Sequence, residues 1–501
     1  MRDDRKIKYN LVIGILGQLI MMILGIIVPK VVMTSYGSEV NGLISSVTNI
    51  YACIAIVEAG VTAASCQALY KPFSEHKRSD INAILAATHK YFHKTGLIYL
   101  GGIIAFSTIY PILIYSEIPY HVVVAVILFN GIGNVINYFF HGKYLILLKA
   151  DGKNYVRTVV ETFTNATKHI SKIVLISMGF DVILVQFVAM LISFAQMIYI
   201  TYYIKKNYSW LDLHVAPNVT VFFQNKHVLV HEINYLITFN VDTFLLTMFT
   251  TLKLVSVYSL YNQLFSTISR ALRIVRDALE FKIAYAYHES REKFLRIFTA
   301  YEVYYITLAF CLFSIMQYFI LPFITLYTKG VEDISYVSNI YPLLFAFINL
   351  LAAGRYPSDT MIHVAGHYKL TEKSAVMESV INVVVSLALV WIWGISGVLI
   401  GTIASSMYRT NYLILYVNKQ IIGRSPVHTY KCWLINLVVF FIVNMLNRYL
   451  VLNLDSFGKL VLMFIPYSLG SMCIYFGVIS LHEPQAFQYA WSLGKKMLKN
   501  K

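Results

Sequence analysis

Charge is what this chain has least of. Only 13% of its 501 residues are Asp, Glu, Lys or Arg, against 58% hydrophobic, where soluble proteins carry about 25% charged residues. That is too little polar surface to coat soluble domains of ordinary size. Cysteine is sparse and scattered: Cys53, Cys66, Cys311, Cys432 and Cys473 form no CxxC or other metal spacing, so they read as small apolar filler. No GxxxxGK[ST] occurs, which removes the signature of an ATP-driven pump. Gly131-Ile-Gly133 lacks the third glycine of a dinucleotide loop and follows no strand, so it reads as helix-packing glycine. The pairs His89/His93, His227/His231 and His363/His367 have the i, i+4 spacing of a chelate. None carries the Glu of HExxH and no third ligand is placed, so they read as solvated histidines at helix ends. No metal, no cofactor and no nucleic-acid partner is expected. Period-2 alternation is absent, which removes a membrane barrel. The longest neutral connection, 321–339, is too short to fold as a domain, which disfavours a polysaccharide polymerase or ligase with a catalytic outer loop. The first apolar run, from Leu11, is too long for a cleavable signal peptide.

What the chain has is apolar runs of helix-spanning length. They fall at 11–33, 42–66, 95–116, 121–142, 158–178, 182–204, 230–251, 254–276, 297–320, 340–362, 375–393, 395–417, 432–452 and 458–480. This is about fourteen spans, and single segments of this kind can cross a bilayer only as helices. The connections alternate between short neutral turns and longer basic segments. Of the 41 Lys and Arg, 29 lie in the N-terminus, 67–94, 143–157, 205–231, 277–296, 363–374, 418–431 and the C-terminal tail. The intervening turns hold three: Lys253, Lys329 and Lys459. The positive-inside rule puts the basic side, with both termini, in the cytoplasm. The net charge of +16 is thus mostly topology. The 205–231 segment separates six spans from eight and is the expected joint between two lobes. Past Pro484, Phe487, Trp491, Leu493, Met497 and Leu498 alternate with Lys495, Lys496 and Lys499. The pattern suits a helix lying on the inner leaflet; an unstructured basic end is the competing reading.

Ionisable residues inside the spans carry the chemistry, because each costs at least a few kcal/mol unless it faces protein or water. The cations are Lys30, Lys168, Lys172, Arg270, Arg273, Arg276, Arg355, Arg409 and Arg448; the acids counted against them are Glu58, Glu161, Asp242 and Asp359. Lys168 and Lys172 share one helical face in mid-span and repel unless water or an anion sits beside them. Arg270, Arg273 and Arg276 recur at i, i+3, i+6, with Arg276 near enough to the end to snorkel. Arg355 and Asp359, four apart around Pro357, read either as a structural pair at a kink or as substrate contacts. Lys30, Arg409 and Arg448 lie nearer span ends. Glu58 and Asp242 read either as salt-bridge partners or as proton- or sodium-coupling acids. The excess of cations points to an electropositive cavity, suited to a phosphate or diphosphate and not to a cationic drug.

The stretch IVPKVVMTSYGSEVNGLISSVTNIYACIAIVEAGVTAASCQALYKP, 27–72, resembles the first two spans of Wzx-type polysaccharide flippases in the MATE-like MOP exporter superfamily. The matching points are Pro29-Lys30, Tyr36-Gly37-Ser38-Glu39, Asn41-Gly42-Leu43, Val57-Glu58-Ala59-Gly60 and Ala68-Leu69-Tyr70-Lys71-Pro72. A second match joins Asn240-Val241-Asp242 to Val255-Ser256-Val257-Tyr258-Ser259-Leu260-Tyr261. The resemblance implies an all-α polytopic membrane protein of about fourteen transmembrane helices. It would have two six-helix lobes in a V (1–225 and 226–430), followed by two C-terminal helices and a basic tail (431–501). It implies a flippase, not an enzyme, carrying undecaprenyl-diphosphate-linked oligosaccharide across a bacterial cytoplasmic membrane. The implied partners are membrane lipids and the polymerase and glycosyltransferases of the same pathway. The matched motifs carry over Lys30, Glu58 and Asp242; Lys168, Lys172, Arg270, Arg273, Arg355 and Arg409 rest on the charge argument alone. The rival on the same fold is a cation-coupled MATE-type drug exporter, which calls for acids in the cavity.

Overall fold

Helix forms wherever the sequence offers an apolar run, because buried backbone N–H and C=O groups are satisfied most locally that way. The computed structural model describes the backbone at 2–54, 56–218, 240–447, 449 and 454–499; some side chains within these ranges, including those of 53–60, lie outside the described residues. It divides into two compact units, Met1–Ser256 and Val257–Lys501. Among the described residues there is no strand.

The first unit holds α1 (Arg2–Ile54), α2 (Ile56–Ser74), α3 (Arg78–Leu113), α4 (Tyr120–Ile136), α5 (Gly142–Ala150), α6 (Asn154–Ser177), α7 (Val182–Asn207) and α8 (240–249). A π-helical turn, Asn137–His141, joins α4 to α5. The start of α9 (Leu252–Glu289) closes the unit. The second unit continues through α10 (Arg291–Tyr327), α11 (Tyr341–Gly354), α12 (Tyr356–Ala365), α13 (Tyr368–Trp393), α14 (Ile395–Tyr416), α15 (Val427–Leu446), α16 (Phe457–His482) and α17 (Pro484–Lys499). Each apolar run of the sequence meets helix. The protein is therefore an all-α polytopic membrane protein, with eight helices among the described residues long and apolar enough to cross a bilayer by length and composition. The first of these, Leu16–Ala52, overlaps the first two runs. They are separated only at Gly37, whose φ of 85° and ψ of 168° interrupt the helical backbone; glycine takes that conformation without a Cβ penalty. The tail expected past Pro484 is helical, as α17.

The alternation of loops reappears as two distinct ends. In the first unit the basic connections meet: Lys153 Nζ lies 3.0 Å from Tyr208 Oη, which donates to Asp151 at 2.6 Å, and Arg78 stacks over Trp210 at 5.3 Å. The neutral turns meet at the other end. There the Glu117 N–H donates to Glu39 Oε1 at 2.8 Å, Lys253 pairs with Glu117 at 3.7 Å, and Tyr36 donates to the Phe180 carbonyl. The second unit repeats this. Arg291 donates to the Ile422 carbonyl at 2.8 Å and Lys431 pairs with Glu483 at 3.2 Å on the basic side. Tyr261 donates to the Tyr336 carbonyl at 2.9 Å on the neutral side.

The two motifs that carry the family resemblance meet at the neutral end of the first unit. Asn41 Nδ2 donates to Ser256 Oγ at 2.7 Å, both buried. A Cβ built on Gly42 would lie 1.8 Å from the Leu252 carbonyl oxygen, so only glycine lets α1 and the start of α9 approach this closely.

Candidate substrate cavity

Lysine cannot be hidden in apolar surroundings without an anion, a hydrogen-bonded network or water. Lys168 and Lys172, one turn apart on α6, face a cavity of about 440 Å³ inside the first unit. Neither makes an ion pair among the described residues; Glu161, the acid of α6, is held by Arg157 at 2.8 Å. The far wall comes from α4 and its π turn, where Asn130, Asn134 and Asn137 follow one another at i, i+4 and i+7. From α7 come Gln186 and Ser193. Gln186 is 2% exposed, and its Nε2 has no hydrogen-bond partner among the described residues. Such a group marks where a ligand or water must bond. Tyr51, Tyr99 and Tyr138 form an aromatic wall, with ring centroids 6.0 Å and 5.0 Å apart, and the Tyr51 hydroxyl is anchored on the Ile127 carbonyl at 2.7 Å. No carboxylate is among the described lining residues. The cavity thus offers two ammonium groups, a row of amides and aromatic faces: donors for a phosphate oxygen and partners for sugar hydroxyls and rings.

Solved structures with the same arrangement of helices are membrane transporters. The lipid II flippase MurJ, in an inward closed conformation, aligns over 93% of this chain and 99% of its own, with a TM-score of 0.67 at 15% identity. The chain has the fold of MOP-superfamily transporters. A MATE family multidrug resistance transporter in its inward-facing conformation aligns over 80% of this chain and 95% of its own, with a TM-score of 0.64 at 12% identity. A MOP superfamily transporter from Pyrococcus furiosus aligns over 84% and 97%, with a TM-score of 0.55 at 10% identity; for that protein a reversed polarity of the binding pocket suggests a different function. No protein-family model and no curated protein matches the chain. Identities this low establish the MOP fold and leave the substrate to the residues.

The other candidate residues go to different places. Lys30 sits two turns before Gly37 on α1, partly buried, and Asp242 is 2% exposed on α8; neither lines the cavity among the described residues. The Glu58 side chain, His227/His231 and Arg448 lie outside the described residues. Arg270, on α9, bonds only to its own helix, Nη2 to Thr267 Oγ1 at 2.8 Å and Nη1 to Ser266 Oγ at 3.5 Å, and its Nε has no partner among the described residues. Arg273 is partly buried one turn on. Arg276 is held by Asp277 and stacks over Tyr356 at 5.0 Å.

Arg355, read from the sequence either as a structural partner of Asp359 or as a substrate contact, and Arg409 are both buried around one carboxylate, Glu378. Arg355 Nη1 meets Glu378 Oε1 at 2.5 Å and Arg409 Nε lies 3.7 Å from Oε2. Arg355 reaches Asp359 more distantly, at 3.6 Å. Arg409 also donates to the Thr371 carbonyl at 3.1 Å and to Ser374. This is an internal cluster tying the α11–α12 junction to α13 and α14. The sequence carried its signal: Thr371, Ser374, Glu378, Asn382 and Ser386 make a polar stripe at three- and four-residue spacing along an apolar helix. Glu302 is a second acid left out of the charge balance. It lies 1% exposed on α10 and is paired with Arg424 and bonded by Thr429 at 2.8 Å. The cation excess inside the runs is accordingly smaller than nine against four, and what remains of it is concentrated in α6 and α9. Close by, His428, Cys432 and Glu483 bring one potential metal-ligand atom each within 4.8 Å of one another. His428 Nε2 already meets Glu483 at 3.2 Å and Lys431 shares that carboxylate, so the group is satisfied as an ion-pair network.

Proposed function

We propose that the protein is a flippase that turns undecaprenyl-diphosphate-linked oligosaccharide from the inner to the outer leaflet, serving the synthesis of a capsule or other surface polysaccharide. The observation that carries this reading is the acid-free cavity holding Lys168 and Lys172. Two ammonium groups with no counter-ion among the described residues supply the charge for a diphosphate. The amides of Asn130, Asn134, Asn137 and Gln186, with the tyrosine wall, suit the sugar. The lipid chains need no site, because they remain in the bilayer. The MOP fold supports movement by alternating access. Both termini and the basic connections are cytoplasmic, and Glu58 or Asp242 couples the cycle to a proton or sodium ion. A MATE-type exporter of cationic drugs is the second reading on this fold. It needs a carboxylate where this cavity presents lysines.

The test is complementation. In a strain lacking the gene, Lys168→Glu and Lys172→Glu fail to restore surface polysaccharide, while Lys168→Arg restores part of it. Restoration by both charge reversals at wild-type level, or drug resistance on overexpression with no effect on polysaccharide, would overturn the proposal.

A further inference from the structure

The first unit holds a second, separate basic pocket. It opens at the end where the basic connections gather, has a volume of about 500 Å³, and lies between residues 86–97 of α3 and the segment 213–217. That segment is fastened to α3 by the Asn218 N–H, which donates to the Ala83 carbonyl at 3.1 Å. Along one side stand His89, Lys90, His93 and Lys94; Leu213, Val215 and Pro217 form the opposite wall. No carboxylate lines it, and neither lysine is ion-paired among the described residues. The nearest acid on the covering segment, Asp212, is engaged by His214, through its N–H at 2.9 Å and its ring at 3.2 Å. Beneath the pocket lies Lys143, only 6% exposed, with Nζ 3.2 Å from His89 Nδ1. An ammonium group can only donate. His89 Nδ1 is therefore the acceptor, which fixes the ring as the Nε2–H tautomer and leaves Nε2 as a donor. His93 is steadied by Phe139 of the π turn, ring centroids 5.1 Å apart.

Snorkelling and the positive-inside bias explain exposed lysines at a helix end. They do not explain a buried, acid-free lysine that orients a histidine donor under a walled pocket. We infer that this pocket binds a phosphate-bearing anion, either the headgroup of an anionic phospholipid or a free phosphate or diphosphate. Lys90 and Lys94 supply the charge and His89 Nε2–H and His93 the directed bonds. The site stands apart from the Lys168–Lys172 cavity and does not depend on what that cavity carries.

The test is native mass spectrometry and thermal unfolding of the full-length protein in neutral detergent, with phosphatidylglycerol, phosphatidylcholine or inorganic pyrophosphate added singly. Wild type retains one saturating phosphatidylglycerol, or is stabilised by pyrophosphate, while phosphatidylcholine does neither. The triple variant K90Q/H93Q/K94Q, confined to exposed side chains, lowers that occupancy at least fivefold. Lys205→Gln with Lys206→Gln, which removes the same charge from the end of α7, leaves it unchanged. Phosphatidylglycerol binding alone assigns the site to a lipid headgroup, and pyrophosphate binding alone to a free phosphate. Equal retention of phosphatidylcholine, equal loss in both variants, or no binding of any probe would overturn the inference.

Discussion

Glu378 separates the buried arginines of the second unit from the partly buried lysines of the cavity. Arg355 and Arg409 share its carboxylate and are internal ties; Lys168 and Lys172 have no such partner among the described residues and line a cavity. The distinction predicts opposite phenotypes. Glu378→Gln strands two buried guanidinium groups, and breaking a buried pair in this way costs about 3–5 kcal/mol. It should therefore lower the unfolding temperature in detergent and reduce the folded yield. Lys168→Gln removes a charge that no described side chain compensates, so its unfolding temperature should be equal to or above that of wild type while export is lost. A Glu378→Gln protein as stable as wild type would remove the structural role assigned to the cluster. Sequence spacing could see the lysine pair, because i, i+4 is local. It could not see that Arg355 prefers Glu378 over Asp359, since the better partner lies 23 residues away and only the packing of α11 and α13 on α14 brings it near.

At the scale of the helices, the segments most specific in the sequence turn out to be contact points. Tyr36, Glu39, Asn41 and Gly42 bond or pack against Phe180, Glu117, Ser256 and Leu252, so substitutions in that short stretch should be poorly tolerated. Gly42→Ala places a methyl group against backbone, where no side-chain rotation relieves it. The expected outcome is a sharp fall in folded protein, read by fluorescence-detected size-exclusion chromatography. Asn41→Ala removes one buried bond and should cost about 1 kcal/mol, or somewhat more for the Ser256 hydroxyl left behind. Equal yields for Gly42→Ala and wild type would show that α1 and the start of α9 can separate freely there. The helices themselves were legible because each apolar run is long enough to leave no other structure. The π turn at Asn137–His141 was not, since an i→i+5 widening has no compositional signature. The amide row of α4 was visible as Asn130, Asn134 and Asn137, but its facing partner Gln186 is brought in by the packing of α4 on α7.

At the scale of the whole molecule, the alternation of basic and neutral connections predicts which ends face which compartment. In a cysteine-free background, Glu117→Cys should react with a membrane-impermeant maleimide on intact cells, and Lys153→Cys only after permeabilisation. The reverse pattern would invert the topology and with it the direction of transport. The central claim is that this fold, with lysines in an acid-free cavity, moves a lipid-linked diphospho-oligosaccharide. It is tested most directly by reconstituting the purified protein into liposomes with undecaprenyl-diphosphate-linked oligosaccharide. Appearance of the sugar on the opposite face is then followed with an impermeant lectin. The account predicts protein-dependent translocation that is abolished in Lys168→Gln/Lys172→Gln protein of unchanged thermal stability. No translocation by the wild-type protein, or translocation by the double variant at the wild-type rate, would contradict it.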